Sequence, residues 1–285
     1  MPIAADTVAH CVGWVAGAFP TRRIGAILGS MNIQWVLITG ASQGIGYEFA
    51  KLFAAAGWQM VIVARDGARL REVADELGAR YGVTVKPLIK DLSRATAAQE
   101  IFAALQGEQI EISILVNNAG FGVRGPFAEV EIARHLDLLQ TNVASLVQLT
   151  HLFVKPMLAR GSGRILNVAS TAAFLPGPFM AMYYASKAFV HSFSCALAQE
   201  LAGTGVTVTS VCPGVTTSQF HARAGMQRDS VLIRMTAEDV AKIGYRALMA
   251  GKPISVTGWF NKMGVMICKI LPTRLLMRVA ANVNR

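Results

Sequence analysis

From Gln34 onward the chain alternates short apolar runs, rich in β-branched residues, with longer stretches of helical periodicity. Strands that are apolar along their whole length must be covered on both faces. Repeated strand–helix–strand units achieve this by laying helices on either side of a parallel sheet. The pattern predicts strands at Trp35–Thr39, Gln59–Ala64, Val83–Ile89, Ile112–Asn117, Gly163–Ala169, Val206–Cys212 and Pro253–Thr257. Helices are predicted at Ile45–Ala56, Ala68–Tyr81, Ala95–Leu105, Glu129–Ala159, Tyr183–Ala202 and Ala237–Met249. The expected fold class is α/β, a single doubly wound parallel sheet of about seven strands with helices on both faces. No fixed-period repeat or low-complexity linker interrupts it. Residues 34–250 are therefore read as one domain, between an apolar extension at 1–33 and a basic amphipathic segment at 251–285.

Composition narrows the class. Of 285 residues, 53% are hydrophobic and 15% charged, which excludes a disordered or fibrous chain. No window reaches the roughly 20 uninterrupted apolar residues of a membrane span, which excludes a multi-span protein. The four cysteines, Cys11, Cys195, Cys212 and Cys268, form no CxxC pair and no cluster with histidines. That argues against a disulfide framework or a zinc site and for a reducing compartment, the cytoplasm.

The formal net charge is +10, and its excess is concentrated at the end of the chain. From Val240 to Arg285 stand Lys242, Arg246, Lys252, Lys262, Lys269, Arg274, Arg278 and Arg285, with no acid. The body is nearly balanced and lacks an aromatic-basic stripe, so nucleic acid is not an expected partner. In the same tail Trp259, Phe260, Met263, Met266, Ile270 and Leu275 lie among the basic residues, with Pro272 interrupting them. This is the composition of an interfacial helix in peripheral contact with a membrane surface, or of a flap over a pocket or neighbouring subunit. At the other end Val8–Phe19 is apolar apart from His10 and lacks a basic n-region, which makes a poor signal peptide. It reads as a membrane-apposed helix, a helix packed on the domain, or an extension upstream of a start at Met31.

Between the first predicted strand and helix lies Thr39-Gly40-Ala41-Ser42-Gln43-Gly44-Ile45-Gly46. Glycines there permit a tight turn, close approach of backbone to a pyrophosphate, and packing of helix on strand. The helix N-terminus offers N–H groups and partial positive charge to the anion. This TGxxxGIG segment, with the motifs below, resembles the short-chain dehydrogenase/reductase family, a Rossmann-type fold, and the resemblance covers roughly Gln34 to Ala250. It implies a nicotinamide dinucleotide held by Gly40, Ser42, Gln43, Gly44, Ile45 and Gly46. It also implies Asp91 and Leu92 beside the adenine, and Asn118, Ala119 and Gly120 after the fourth strand. Pro213, Gly214, Val215 and Thr216 are implied at the carboxamide, with Thr217 second to Thr216. The second strand runs into Ala64, Arg65 and Asp66. An acid at Ala64 would hold a free ribose 2′-hydroxyl, whereas a small residue followed by Arg65 suits a 2′-phosphate. NADP(H) is thus expected in preference to NAD(H).

Tyr183 and Lys187 stand four apart in a helical segment, so they share one face, while Tyr184 points about 100° away. A nearby ammonium favours phenolate and brings a phenol toward useful acid–base range. Ser170 ends the fifth strand thirteen positions before Tyr183, the family's usual spacing. The resemblance implies a catalytic set of Asn142, Ser170, Tyr183 and Lys187. Ser170 would bind the substrate oxygen, Tyr183 would move its proton, Lys187 would also hold the nicotinamide ribose, and the Asn142 side chain would hold a relay water. The implied reaction is metal-free, reversible hydride transfer between NADP(H) and a carbonyl or hydroxyl carbon. A dinucleotide-sensing module without turnover would have no need of that set.

The substrate loops are rich in aromatics and methionine: Phe121, Val123 and Phe127; Phe174, Leu175, Phe179, Met180 and Met182; and Phe220, Met226, Val231, Leu232 and Met235. Such linings suit a small apolar carbonyl or alcohol, 3-oxoacyl or steroid-like. Gly225 and Arg228 suit a lid. The resemblance implies a homodimer or homotetramer paired through the helices near Glu129–Ala159 and Tyr183–Ala202.

Overall fold

The computed structural model describes residues 34–217 and 235–284; the expectations for the first 33 residues and for the loop carrying Phe220 to Leu232 lie outside it. Seven strands form one parallel sheet: β1 Trp35–Thr39, β2 Gln59–Ala64, β3 Val85–Ile89, β4 Ile112–Asn117, β5 Gly163–Val168, β6 Val206–Cys212 and β9 Ile254–Val256. Two-residue strands β7, Thr216–Thr217, and β8, Met235–Thr236, pair separately. The sheet order is β3-β2-β1-β4-β5-β6-β9, so strand order reverses between β1 and β4, where open α/β sheets leave a crevice for ligands.

The uniformly apolar strands are buried on both sides. Val36 and Ile38 of β1 pack with Phe49 and Phe53 of helix α1, Gly44–Ala55, and with Leu70 of α2, Gly67–Tyr81. Leu37 faces the other way, into a cluster with Ile101 of α3, Ala97–Gly107, and Phe153 of α5, Ser145–Ala159. This is the period-2 alternation of a strand between two helical layers.

The single helix expected over Glu129–Ala159 is divided. Helix α4, Ile132–Leu139, runs into a π turn at Gln140–Ala144 before α5 begins. A π turn widens one coil of the helix and re-aims the side chains it carries, and Asn142 sits within it. Beyond α6, Ala181–Glu200, and α7, Ala237–Met249, the chain ends in α8, Trp259–Ile270, and α9, Thr273–Asn284, separated by Pro272 as its missing N–H and fixed φ require. Helix α8 packs on the 3₁₀ turn Thr171–Phe174. Among the described residues no helix is long and apolar enough to cross a membrane.

At the strand-order reversal one hydroxyl joins β1 to β4. Thr39 Oγ1 accepts from the N–H groups of Asn118 and Ala119, both at 3.0 Å, and donates to the Val116 carbonyl at 3.3 Å. Replacing Thr39 by the isosteric valine leaves the Ala119 N–H unpaired and the Asn118 N–H with the Val116 carbonyl at 3.1 Å alone, and urea unfolding should register a loss of about 1 kcal/mol or more. A loss below about 0.5 kcal/mol would show that the bonds carry little.

Candidate active site

The carboxyl ends of the sheet strands open into a cleft of about 1110 Å³. Its phosphate end is the turn entering α1. Gly40 and Gly44 have φ of +68° and +58°, which side chains with a Cβ rarely adopt. Gly46 is needed for space instead, because a Cβ there would lie 2.3 Å from the Gly40 carbonyl oxygen and 2.4 Å from Asn118 Nδ2. That amide fastens the turn from β4, donating to the carbonyls of Thr39 at 2.9 Å and Gly40 at 3.1 Å. Helix α1 has no acid in its first turn and no side-chain cap at Gln43, leaving its positive end toward the cleft. A shallow backbone cradle ending a helix suits a pyrophosphate, so the residues present fit a dinucleotide.

Arg65 lines the same cleft and is exposed. Asp66 does not pair with it: its carboxylate caps α2, accepting from Arg69 N–H at 3.1 Å, and among the described residues no ion pair engages Arg65. Asp91 and Leu92 also line the cleft; the Asp91 carboxylate accepts from Ser93 N–H at 3.0 Å, and the Leu92 carbonyl accepts from Ser145 at 2.7 Å. At the other end Pro213, Gly214, Val215 and Thr216 line it, the Thr216 hydroxyl donating to the Gly214 carbonyl at 3.0 Å. Of the glycine-turn and catalytic residues expected from sequence, Gly46 and Asn142 are not in the lining.

Ser170, Tyr183 and Lys187 converge on the cleft between these ends. Ser170 caps the 3₁₀ turn, its oxygen accepting from Ala172 N–H at 3.1 Å. Asn142 is 1% exposed, and its amide is committed: Oδ1 accepts from Phe121 N–H, Nδ2 donates to the Phe121 carbonyl, both at 3.0 Å, and Nδ2 also donates to Ser186 Oγ at 3.1 Å. A Cβ on Gly120 would lie 3.0 Å from Asn142 Oδ1 and 3.4 Å from Lys187 Nζ, so the two polar groups meet over one glycine. One lone pair of Oδ1 is left for a water, and positioning Phe121 is the larger task of this side chain.

The electrostatics differ from the expectation. Lys187 is 5% exposed, donates to the Val168 carbonyl at 2.8 Å, and lies 6.0 Å from the Tyr183 ring centre. Burial pushes its ammonium down to about 8. Burial also pushes the Tyr183 phenol up to about 12, with a hydrogen bond from Ser170 pulling the other way. Desolvation outweighs the charge effect that four-residue spacing suggested, and the phenol is held neutral.

The apolar wall is built partly from expected residues, Phe121, Leu175 and Met180, and partly from Phe260, Val265 and Cys268 of α8. Phe127 instead stacks on His135 at 4.9 Å, and Phe174 packs on His191. Tyr184 also lines the cleft, and its hydroxyl lies 3.4 Å from the Asn284 side chain at the end of α9. The side-chain amide of Asn284, a residue 1% exposed, further donates to the Pro178 carbonyl at 3.0 Å, and the Asn284 backbone carbonyl accepts from Arg124 Nε at 2.7 Å. The i, i+4, i+7 spacing of Asn261, Val265 and Cys268 was the available sign that α8 turns one side inward.

A family model for short chain dehydrogenase matches residues 34–229. Sulfoacetaldehyde reductase 2 of Chromohalobacter salexigens is 36% identical over 250 residues, 84% of this chain and 94% of the relative. A very-long-chain 3-oxoacyl-CoA reductase of Anas platyrhynchos is 31% identical over 280 residues, 94% and 86% respectively. A solved short-chain dehydrogenase from Sphingobium yanoikuyae in complex with NADPH superposes with a TM-score of 0.76 at 30% identity, covering 82% of this chain and 92% of that one.

The depressed ammonium of Lys187 predicts a pH dependence. The native site releases the proton near pH 8, whereas an ordinary lysine keeps it to 10.5, so the unfolded chain binds more protons between these values and stability rises with pH. Relative to Lys187→Met, the unmodified chain should gain about 2 kcal/mol or more of unfolding free energy across that window. A constant difference in urea titrations would contradict the assignment.

Proposed function

The chain belongs to the short-chain dehydrogenases, and from that membership we propose an oxidoreductase that uses NADP(H) in preference to NAD(H) on the carbonyl or hydroxyl carbon of an apolar substrate. The observation that carries this reading is the convergence of Ser170, Tyr183 and Lys187 on a cleft whose far end presents Arg65, which no ion pair engages among the described residues. A bound nicotinamide dinucleotide would supply or accept the hydride. Gly40 through Ile45, with Gly46 packed behind them, would hold its pyrophosphate. Asp91 and Leu92 would lie beside the adenine, Asn118, Ala119 and Gly120 would line the cofactor's path after β4, and Pro213 through Thr216 would meet the nicotinamide carboxamide. Arg65 would meet a 2′-phosphate with its planar fork of N–H donors.

In the reducing direction Ser170 donates to the carbonyl oxygen, and the neutral phenol of Tyr183 gives up its proton as negative charge develops there. An alkoxide is the stronger base, so even a phenol raised to about 12 passes its proton downhill. Lys187 would hold the nicotinamide ribose and place positive charge behind the phenol as proton transfer proceeds. Asn142 keeps the Phe121 backbone and the floor at Gly120 in place.

Phe121, Leu175, Met180, Phe260 and Val265 support a lipophilic ketone, in line with the name of the 3-oxoacyl-CoA reductase relative. They weigh against a small sulfonated aldehyde, the compound in the name of the other. Exposed Ile132 and Leu136 on α4 and Phe189 on α6 support pairing into a homodimer or homotetramer, and the free thiols of Cys195, Cys212 and Cys268 support a cytoplasmic location.

With NADPH and a medium-chain 3-oxoacyl thioester, Tyr183→Phe should lower kcat by about 10³-fold while changing NADPH affinity less than about twofold. Undiminished turnover would remove Tyr183 from the chemistry.

A further inference from the structure

Helices α8 and α9 carry their larger apolar faces outward. Val265 of α8 and Leu276, Ala280 and Asn284 of α9 point into the protein. The opposite side of α8 holds Met263, Ile267 and Ile270, and α9 holds Leu275, Val279 and Val283 about 100° round from its buried residues, each set spaced by three or four so that it shares one face. All six are exposed, Ile270 to 80%. At the start of α8, Trp259 and Phe260 pack edge to face at 5.5 Å and extend the stripe while remaining 67% and 61% exposed. A helix ordinarily buries its apolar stripe; here the narrower side is buried and the broader one is presented.

The same surface is purely cationic. Lys262, Lys269, Arg274 and Arg278 are all exposed around the stripe, and no acid occurs from Val240 to Arg285. A second copy is a poor occupant, because a twofold interface would set these cations against their own images. An apolar stripe flanked by cations matches instead the boundary between acyl chains and anionic headgroups. The face is held in shape by its end, where Asn284 is bonded to Pro178 and Arg124.

We propose that the outer face of α8 and α9 docks the protein on an anionic lipid surface. Trp259, Phe260 and the apolar stripe enter the interface, while Lys262, Lys269, Arg274 and Arg278 lie against the headgroups. Because Phe260, Gly264 and Cys268 of the same helix line the cleft, docking sets the cleft wall beside the bilayer. Delivery of a lipophilic substrate from the membrane follows from this only together with the substrate reading above; the docking itself does not depend on it.

The test is co-sedimentation of the full chain with vesicles of phosphatidylcholine alone and with about 30% phosphatidylglycerol added to supply anionic headgroups. The bound-to-free ratio should be at least about tenfold higher on the anionic vesicles and fall with added salt. Arg274→Glu with Arg278→Glu, and separately Ile270→Glu with Val279→Glu, should each lower it about tenfold or more. NADPH affinity and sedimentation velocity, both remote from turnover, should stay unchanged and show that the variants fold. Equal binding to both vesicle types, or full binding by both variants, would overturn the proposal. So would a change of oligomeric state in the variants, which would assign the face to a second copy.

Discussion

The Thr39 hydroxyl accepts two N–H groups of the β4 loop while the Asn118 amide returns two bonds to the carbonyls of Thr39 and Gly40. These contacts tie β1 to β4 where the strand order turns outward in both directions, and they fix the glycine turn against a loop that is 79 residues away in sequence. Gly46 packs on the same amide, which leaves no room for a side chain. The loop held by this knot continues through Gly120 to Phe121, the residue that Asn142 clamps at both backbone atoms. The phosphate end and the chemical end of the cleft are therefore built on one stretch of backbone, so a disturbance at either end is felt at the other.

Burial sets the acid–base character of the site. Lys187 and Tyr183 share a helix face, yet the ammonium is spent on the Val168 carbonyl and both groups are pushed toward their neutral forms. A neutral phenol beside a serine hydroxyl is arranged to give a proton to an oxygen that becomes more basic, and by microscopic reversibility to take it back in the reverse step.

Most of the sheet was legible because apolar β-branched strands have few places to go, and the cleft because its motifs stand at the carboxyl ends of those strands. The break in the long helix at Gln140–Ala144 was not legible: its residues carry no local signature, and the Asn142 side chain it carries finds its partner, Ser186, 44 residues away. The raised phenol of Tyr183 escaped for the same reason, since desolvation is a property of the assembled site rather than of four-residue spacing. Tyr184, set aside on spacing, proves to line the cleft and meet Asn284, a contact spanning 100 residues that periodicity cannot announce. The amphipathic tail showed its composition in the sequence; which side it turns inward emerged only with the fold.

As proposed above, the cleft would hold a 2′-phosphorylated nicotinamide dinucleotide whose phosphate Arg65 reads at one end. The decisive experiment is to titrate the protein separately with NADPH and NADH, following tryptophan quenching, and to repeat both with Arg65→Ala. NADPH should bind more tightly by about 1.4 kcal/mol or more, a tenfold preference that disappears in the variant. Equal affinities for the two cofactors in the unmodified protein would contradict it.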